Sequence, residues 1–357
     1  MAAIRSDSIY WLSGGDKFVL QFASEDIRNN RDVVYEAIQC NGNELMYASE
    51  LLQKDREMVM CAVKTAPEIL GTVGKLYAND REIMMLAVSV SGTNLKYADE
   101  TLRNDKEIVM TAFSNVGKYD YFDDGLKYVS DALCNDKDVV MAAVLISGGK
   151  ALQYVSRALK KDKDILLESI TRDRIRDFSR SLTPYPTIAH IDPKLLDDFD
   201  FMVSAIGKDF DYMKFASKRL LRDPDFYKAA VLSVPTEERN FFKPLNGAPR
   251  CIKNNDELVA FILQDCSNDN FKYIGKHQRE NKELFMKILE KTDVWSVLRY
   301  AGPTLRADKE FVLTVLKIRQ HNFRAECKHV PKSLHEDKDI EDIVRDFWIK
   351  CYKQQGM

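Results

Sequence analysis

Apolar residues recur along the chain in short bursts with helical spacing, each opening on an Asp or Asn followed by an acid two residues later. DREMVMCAV from Asp55, DREIMMLAV from Asp80, DKEIVMTAF from Asp105 and DKDVVMAAV from Asp136 show it most plainly, with apolar side chains at +3, +4, +7 and +8 from the leading Asp. That spacing lines one face of a short α-helix. The leading side-chain oxygen reads as an N-cap, accepting from the free N–H groups of the first turn. The acid two residues on lies where the positive end of the helix dipole favours it. Ala recurs at +7 (Ala37, Ala62, Ala87, Ala112, Ala143, Ala205, Ala230), which predicts the closest approach between helices there.

A second piece precedes the caps, seen in LMYASELLQK, LKYADETLRN and LKYVSDALCN, with its Leu ten residues ahead of the Asp. Its Leu, aromatic, Ala or Val, and second Leu fall on one side of a helix, so each unit is predicted to hold two helices. The same frame places caps at Asn30, Asp55, Asp80, Asp105, Asp136, Asp162, Asp198, Asp223, Asn255, Asn281, Asp308 and Asp337, at spacings of 25 to 36 residues. Such periods belong to helix-pair solenoids, in which each unit completes its neighbour's core. The expected fold is therefore all-α, an α-solenoid of about twelve short helix-turn-helix repeats. FVLQFASEDIRNN opens the array as a half unit, and DKDIEDIVRDFWIKCYK closes it as a capping helix with a charged outer face. Residues 1–170 hold the regular repeats, 171–197 an irregular Pro-bounded connector and divergent repeat, and 198–357 divergent repeats ending in the capping helix. Pro193 and Pro303 stand five residues before a cap and Pro331 six, where Pro either starts a short closing helix or breaks a longer one.

The paired patterns D-[KR]-[DE]-[IV]-V-x-x-A-V and L-x-Y-A-S-x-x-L-[RK]-x-D resemble the repeats of the family called domain of unknown function 4116. The resemblance is close over residues 18–170 and looser beyond. It implies a helical repeat and brings no activity, cofactor or catalytic set with it. The chain departs from the pattern at an insertion before Leu126 and at Gly247, near which the aromatic is lost.

Lys plus Arg (53) nearly balance Asp plus Glu (55), so no global field draws an anionic polymer and nucleic-acid binding is disfavoured. No run approaches the length of a membrane span, and the first residues lack the layout of a secretory signal, so no membrane association is expected. The expectation is a cytoplasmic protein, free or attached to a cytoskeletal or other large assembly. Seven widely spaced cysteines, Cys40, Cys61, Cys134, Cys251, Cys266, Cys327 and Cys351, with no CxxC pair, read as free thiols of a reducing compartment.

Acid pairs such as Asp136 with Asp138, Asp162 with Asp164 and Asp337 with Asp339 are the residue types of phosphoryl-transfer and metal sites, yet they recur at cap after cap and are explained by capping. His321, Cys327, His329 and His335 are the densest set of metal-binding types. Cys327 and His329 occupy the recurring Leu and aromatic positions, and the spacing fits no zinc pattern. No nucleophile elbow or phosphate-cradling Gly loop is present; Ser91-Gly92-Thr93-Asn94 and Ser147-Gly148-Gly149-Lys150 lie at inter-helix turns. No catalytic residue, cofactor, metal or small-molecule ligand is assigned, and the chain is expected not to be an enzyme.

Three segments interrupt the repeat. Residues 114–125 insert Lys118, Tyr119, Tyr121 and Phe122 among acids, and these aromatics serve either partner binding or a neighbouring core. Residues 171–187 carry Arg172, Arg174, Arg176 and Arg180, diluted by Asp173 and Asp177, either as a solvated helix face or as a grip on an acidic partner. Residues 235–250 lengthen a turn that holds Phe241 and Phe242, a contact surface or local core. The expected function is non-catalytic: a protein-protein interaction scaffold or structural subunit of a larger intracellular assembly, contacting its partner through Lys118, Tyr119, Tyr121, Phe122, Arg172, Arg174 and Arg176. The alternative is a nucleic-acid or ribonucleoprotein-associated helical repeat protein.

Overall fold

A helix begins at every one of the twelve cap positions. The computed structural model describes residues 18–115, 125–176, 186–266, 268–289, 296–319 and 322–354. The capped helices are α1 (Arg31–Cys40), α2 (Arg56–Thr65), α3 (Arg81–Val90), α4 (Lys106–Ser114), α5 (Lys137–Ser147) and α6 (Lys163–Arg176). They continue with α7 (Phe199–Lys208), α8 (Pro224–Ser233), α9 (Asp256–Asp265), α10 (Lys282–Leu289), α11 (Lys309–Ile318) and α12 (Lys338–Gln354). Each cap oxygen accepts from the first turn of its helix, as Asp105 does from Glu107 and Ile108 at 3.0 and 3.2 Å. The described residues are helices, turns and loops, with no strand among them.

The chain divides into two compact units, Met1–Ile191 and Asp192–Met357. Within the first, each of α1 to α6 packs on the next; within the second, α7 to α12 do the same. The structure is thus an all-α solenoid of short repeats in each unit. Apolar positions +3, +4, +7 and +8 are fully buried in α3, as Ile83, Met84, Ala87 and Val88. Six of the seven +7 alanines are buried, and only Ala37 in α1 is partly open. A Cβ on Gly42 would collide with the carbonyl oxygen of Ala62, which is why the close approach there needs glycine.

The second piece differs from the predicted helix. It is a 3-10 segment followed by a break and a single closing turn: Gly42–Tyr47, extended backbone at Ala48 and Ser49, then Glu50–Gln53. The break frees a backbone N–H that a continuous helix would consume, and that N–H bonds the preceding repeat. Ser49 donates to the carbonyl of Arg28 at 3.0 Å, Ser130 to Arg103 and Ser156 to Cys134 at 3.2 Å, and Ser217 to Leu196 at 2.9 Å. The repeat before α3 is the exception, with a continuous helix Leu70–Tyr77. There the Tyr77 hydroxyl reaches back instead, donating to the Lys54 carbonyl at 2.6 Å.

Pro303 opens the short closing helix Pro303–Ala307. Gly247 takes a left-handed conformation, φ 75°, at the recurring aromatic's place, and a turn replaces the 3-10 segment. Of the two phenylalanines in that turn, Phe242 is buried against Phe210 at 5.8 Å between ring centroids, whereas Phe241 is 68% exposed.

Candidate functional site

The residue after each cap had no part in the reading of the sequence, and it connects the repeats. Arg56, first in α2, reaches the next cap Asp80 at 2.7 Å and Glu82, two residues further, at 2.6 Å. Arg31 pairs likewise with Asp55 and Glu57, and Arg81 with Asp105 and Glu107. Lys106 takes Asp136 and Asp138, and Lys137 takes Asp162 and Asp164, at 2.8–2.9 Å. In the second unit Lys282 holds Asp308 at 2.8 Å and Glu310 at 3.7 Å, and Lys309 holds Asp337 at 2.8 Å and Asp339 at 2.6 Å. The acid pairs thus cap one helix and receive the previous helix's cation. That use of both oxygens holds Asp80 and Asp136 below the ordinary carboxylate value of 3.8, mainly through the hydrogen bonds from Arg56 and Lys106.

Three steps in the second unit are built differently. Phe199 stands where the cation would be and meets Phe226 of the next helix edge-on at 5.7 Å. Pro224 opens α8, where it removes only an N–H that the first turn cannot use. Asp256 reverses the polarity: it accepts from Asn281, the next cap, at 2.7 Å. An acid after the cap is thus matched by an amide cap in place of a carboxylate.

A second set of contacts runs through the layer of second pieces. Glu44, 5% exposed, accepts from the N–H groups of Val19 and Leu20 at 2.6 and 2.9 Å. Glu326 is fully buried at the same repeat position and accepts from Val297 and Leu298 at 2.6 and 2.9 Å and from the Ser296 hydroxyl at 3.0 Å. Burial pushes the Glu326 carboxyl above its ordinary range, opposed by those hydrogen bonds. Asn270 does the same work with a neutral side chain, between Leu245 N–H and Phe242 C=O. In each case the side chain satisfies backbone groups at the start of the preceding repeat's second piece.

Of the residues expected to bind a partner, Lys118, Tyr119, Tyr121 and Phe122 lie outside the described residues. Arg172, in α6, pairs with Glu168 one turn earlier at 2.9 Å. Arg174 and Arg176 belong to the same helix, but their side chains, like Arg180 and Asp177, lie outside the described ones. Asp173 is tied inward, accepting from Gly149 N–H at 2.7 Å and from the Thr187 N–H and hydroxyl at 3.0 and 2.6 Å. The segment's one described acid is therefore a clamp between turns.

Cys327 and His335 line a groove of about 530 Å³ with Phe323, Val330, Ile340 and Trp348, between the helix Phe323–Cys327 and α12. Burial pushes the Cys327 thiol up to about 11, so it stays protonated at neutral pH. His329 is half-buried, His335 bonds the Val330 carbonyl at 3.0 Å, and His321 lies outside the described residues. Among the described residues no three His, Cys, Asp or Glu side chains come together as metal ligands would. Cys40, Cys61, Cys134, Cys251, Cys266 and Cys327 are free thiols. No described helix is long and apolar enough to cross a membrane.

Residues 30–76 and 80–127 each match one family model. Its description is Domain of unknown function (DUF4116). Each match starts at or beside a cap, Asn30 and Asp80, and runs on past a second cap, Asp55 and Asp105, so each covers about two of the structural repeats. No curated protein and no solved structure matches the chain.

Proposed function

We propose that the protein works by binding, as a cytoplasmic interaction scaffold or structural subunit of a larger assembly, and not by catalysis. The observation that carries this reading is the stacking itself. In most repeats the cation after the cap is committed to the next repeat and the cap acids to the one before. At Glu44, Asn270 and Glu326 a buried polar side chain also ties back to the preceding repeat, so the remaining positions face outward at a repeating interval. Such a surface offers a partner many similar contacts in series. Exposed apolar side chains stand on it, among them Phe22 at 75%, Leu51 at 77% and Phe241 at 68% exposure. Partner contacts are assigned to the insertion with Lys118, Tyr119, Tyr121 and Phe122 and to Arg172, Arg174 and Arg176.

Affinity capture of the tagged full chain from its own cell extract at moderate salt, with quantitative mass spectrometry, tests the proposal. A stoichiometric protein partner is expected. Replacing Tyr119, Tyr121 and Phe122 together by Ser should reduce its capture with the melting temperature unchanged, whereas a large loss of stability would assign these aromatics to the core. Retention of RNA alone, released by salt, would replace the scaffold reading with the nucleic-acid one.

A further inference from the structure

We infer that the closing turns of the second unit form a docking surface for an acidic polypeptide segment, an inference that rests on the scaffold reading and names its partner's chemistry. The residue five places before each cap opens the closing turn. In the first unit it is acidic in four repeats, as Glu25, Glu50, Glu100 and Asp131, with Lys75 and Arg157 the exceptions. The free N–H groups of a first turn favour that charge. In the second unit the same place holds Lys218, Arg250, Lys276 and Lys332, with Pro193 and Pro303 completing the set. Arg250 and Lys276 are the first residues of the one-turn helices Arg250–Lys253 and Lys276–Arg279, and Lys332 opens the 3-10 turn Lys332–Leu334. Lys218 follows Ser217, whose hydroxyl accepts from Leu220 at 3.2 Å in the same kind of turn.

A cation at the start of a turn works against the local field. Four of them at one repeat position reverse the charge that four of the six first-unit repeats carry there, and a local rule broken without compensation in the fold marks function. No compensation is present: all four are exposed, and none forms an ion pair with a described residue. Four places earlier, Lys214, Lys272 and Lys328 add exposed cations in three of these repeats and Arg299 adds one in the Pro303 repeat, Lys272 being paired with Asp269. Asp209 and Glu326 are buried, Asp269 is held between Lys243 and Lys272 at 2.6 and 2.5 Å, and Glu280 receives the Leu305 N–H at 2.9 Å.

The rings beside these cations decide between an acidic polypeptide and a single nucleic-acid strand, which needs open aromatic faces on which bases stack. Tyr300 is stacked on Phe271 at 4.7 Å on one face and lies under Arg299 at 5.6 Å. Phe215 is edge-on to Tyr212 at 5.5 Å and lies under Lys214 at 5.1 Å. With Phe215 and Tyr300 engaged, the row offers mainly charge, which suits carboxylates carried on a flexible chain.

The test uses the full chain and two fluorescein-labelled probes, an oligoglutamate peptide and an oligouridylate of equal length, in anisotropy titrations at low and moderate salt. The fourfold variant Lys218→Glu, Arg250→Glu, Lys276→Glu and Lys332→Glu should lose affinity for oligoglutamate by about tenfold or more, as several exposed pairs of modest strength combine. Its melting temperature should hold or rise, because it restores the charge that the first unit carries. A matching Lys218→Gln, Arg250→Gln, Lys276→Gln and Lys332→Gln variant should lose affinity to a smaller degree and fold normally. Absence of oligoglutamate binding, equal binding by the variants, or tighter binding of oligouridylate through the same residues would each overturn the proposal. So would a fall in stability in both variants, which would make the row structural. The scaffold reading is judged separately by whether the captured partner persists in the fourfold variant.

Discussion

Asp105 serves two partners, its own helix and Arg81 of the helix before, and two substitutions separate them. Asp105→Ala removes both and should cost about 0.5–2 kcal/mol for the cap alone. Asp105→Asn keeps a capping oxygen and gives up the charge, so its melting temperature should lie nearer the parent's. If thermal denaturation followed by circular dichroism finds the two equally damaging, the capping assignment fails. Glu326 gives the opposite balance, since its partners are backbone groups with nowhere else to turn. Glu326→Ala should destabilise by on the order of 2–4 kcal/mol, because two buried N–H groups lose their acceptor. Glu326→Gln retains one oxygen and should fall between.

At the scale of the element, the capped helices were legible because capping, dipole and apolar period all act within about two turns. Asp80 followed by Glu82, Ile83, Met84, Ala87 and Val88 needs no distant partner to be recognised. The second piece was read as a helix because Leu95, Tyr97, Ala98 and Leu102 fit its period. It ends as a 3-10 segment because the N–H freed at the break is satisfied by another repeat, a bond that local spacing does not reveal. The interlocking of Arg56 with Asp80 escaped notice for a similar reason: the acids already had a sufficient local explanation. The reversed step between α9 and α10 offers a direct check. Asn281→Asp would set a carboxylate beside that of Asp256 and should lower stability by on the order of 1 kcal/mol. Adding Asp256→Lys should recover the loss by rebuilding the usual pairing. A double variant no more stable than Asn281→Asp alone would show that the pair is not coupled.

Across the whole molecule the same pairing makes stability depend on acid. Asp80, Asp136, Asp308 and Asp337 are held below 3.8 mainly by hydrogen bonds from the preceding repeat's cation. Groups lowered on folding contribute fully above their ordinary value, and the contribution is lost as the pH falls through 3.8 toward the folded values. The melting temperature should therefore change little from neutral pH to about pH 5 and drop steeply below about pH 4. The pairing cations are 42–51% exposed, so moderate salt should weaken each step slightly without unfolding the chain. These couplings also act as compatible ends in a chain assembled by duplication. A repeat copied within α2 to α5 brings a cation at one end and an acid pair at the other, and joins any neighbour there. The α9 repeat carries Asp256 where those repeats carry a cation, so it joins a follower capped by Asn, as Asn281 is, and would set two carboxylates together in front of an Asp cap. Growth by copying is thus unrestricted among the Asp-capped repeats of the first unit, whereas the α9 repeat dictates the cap of whatever follows it.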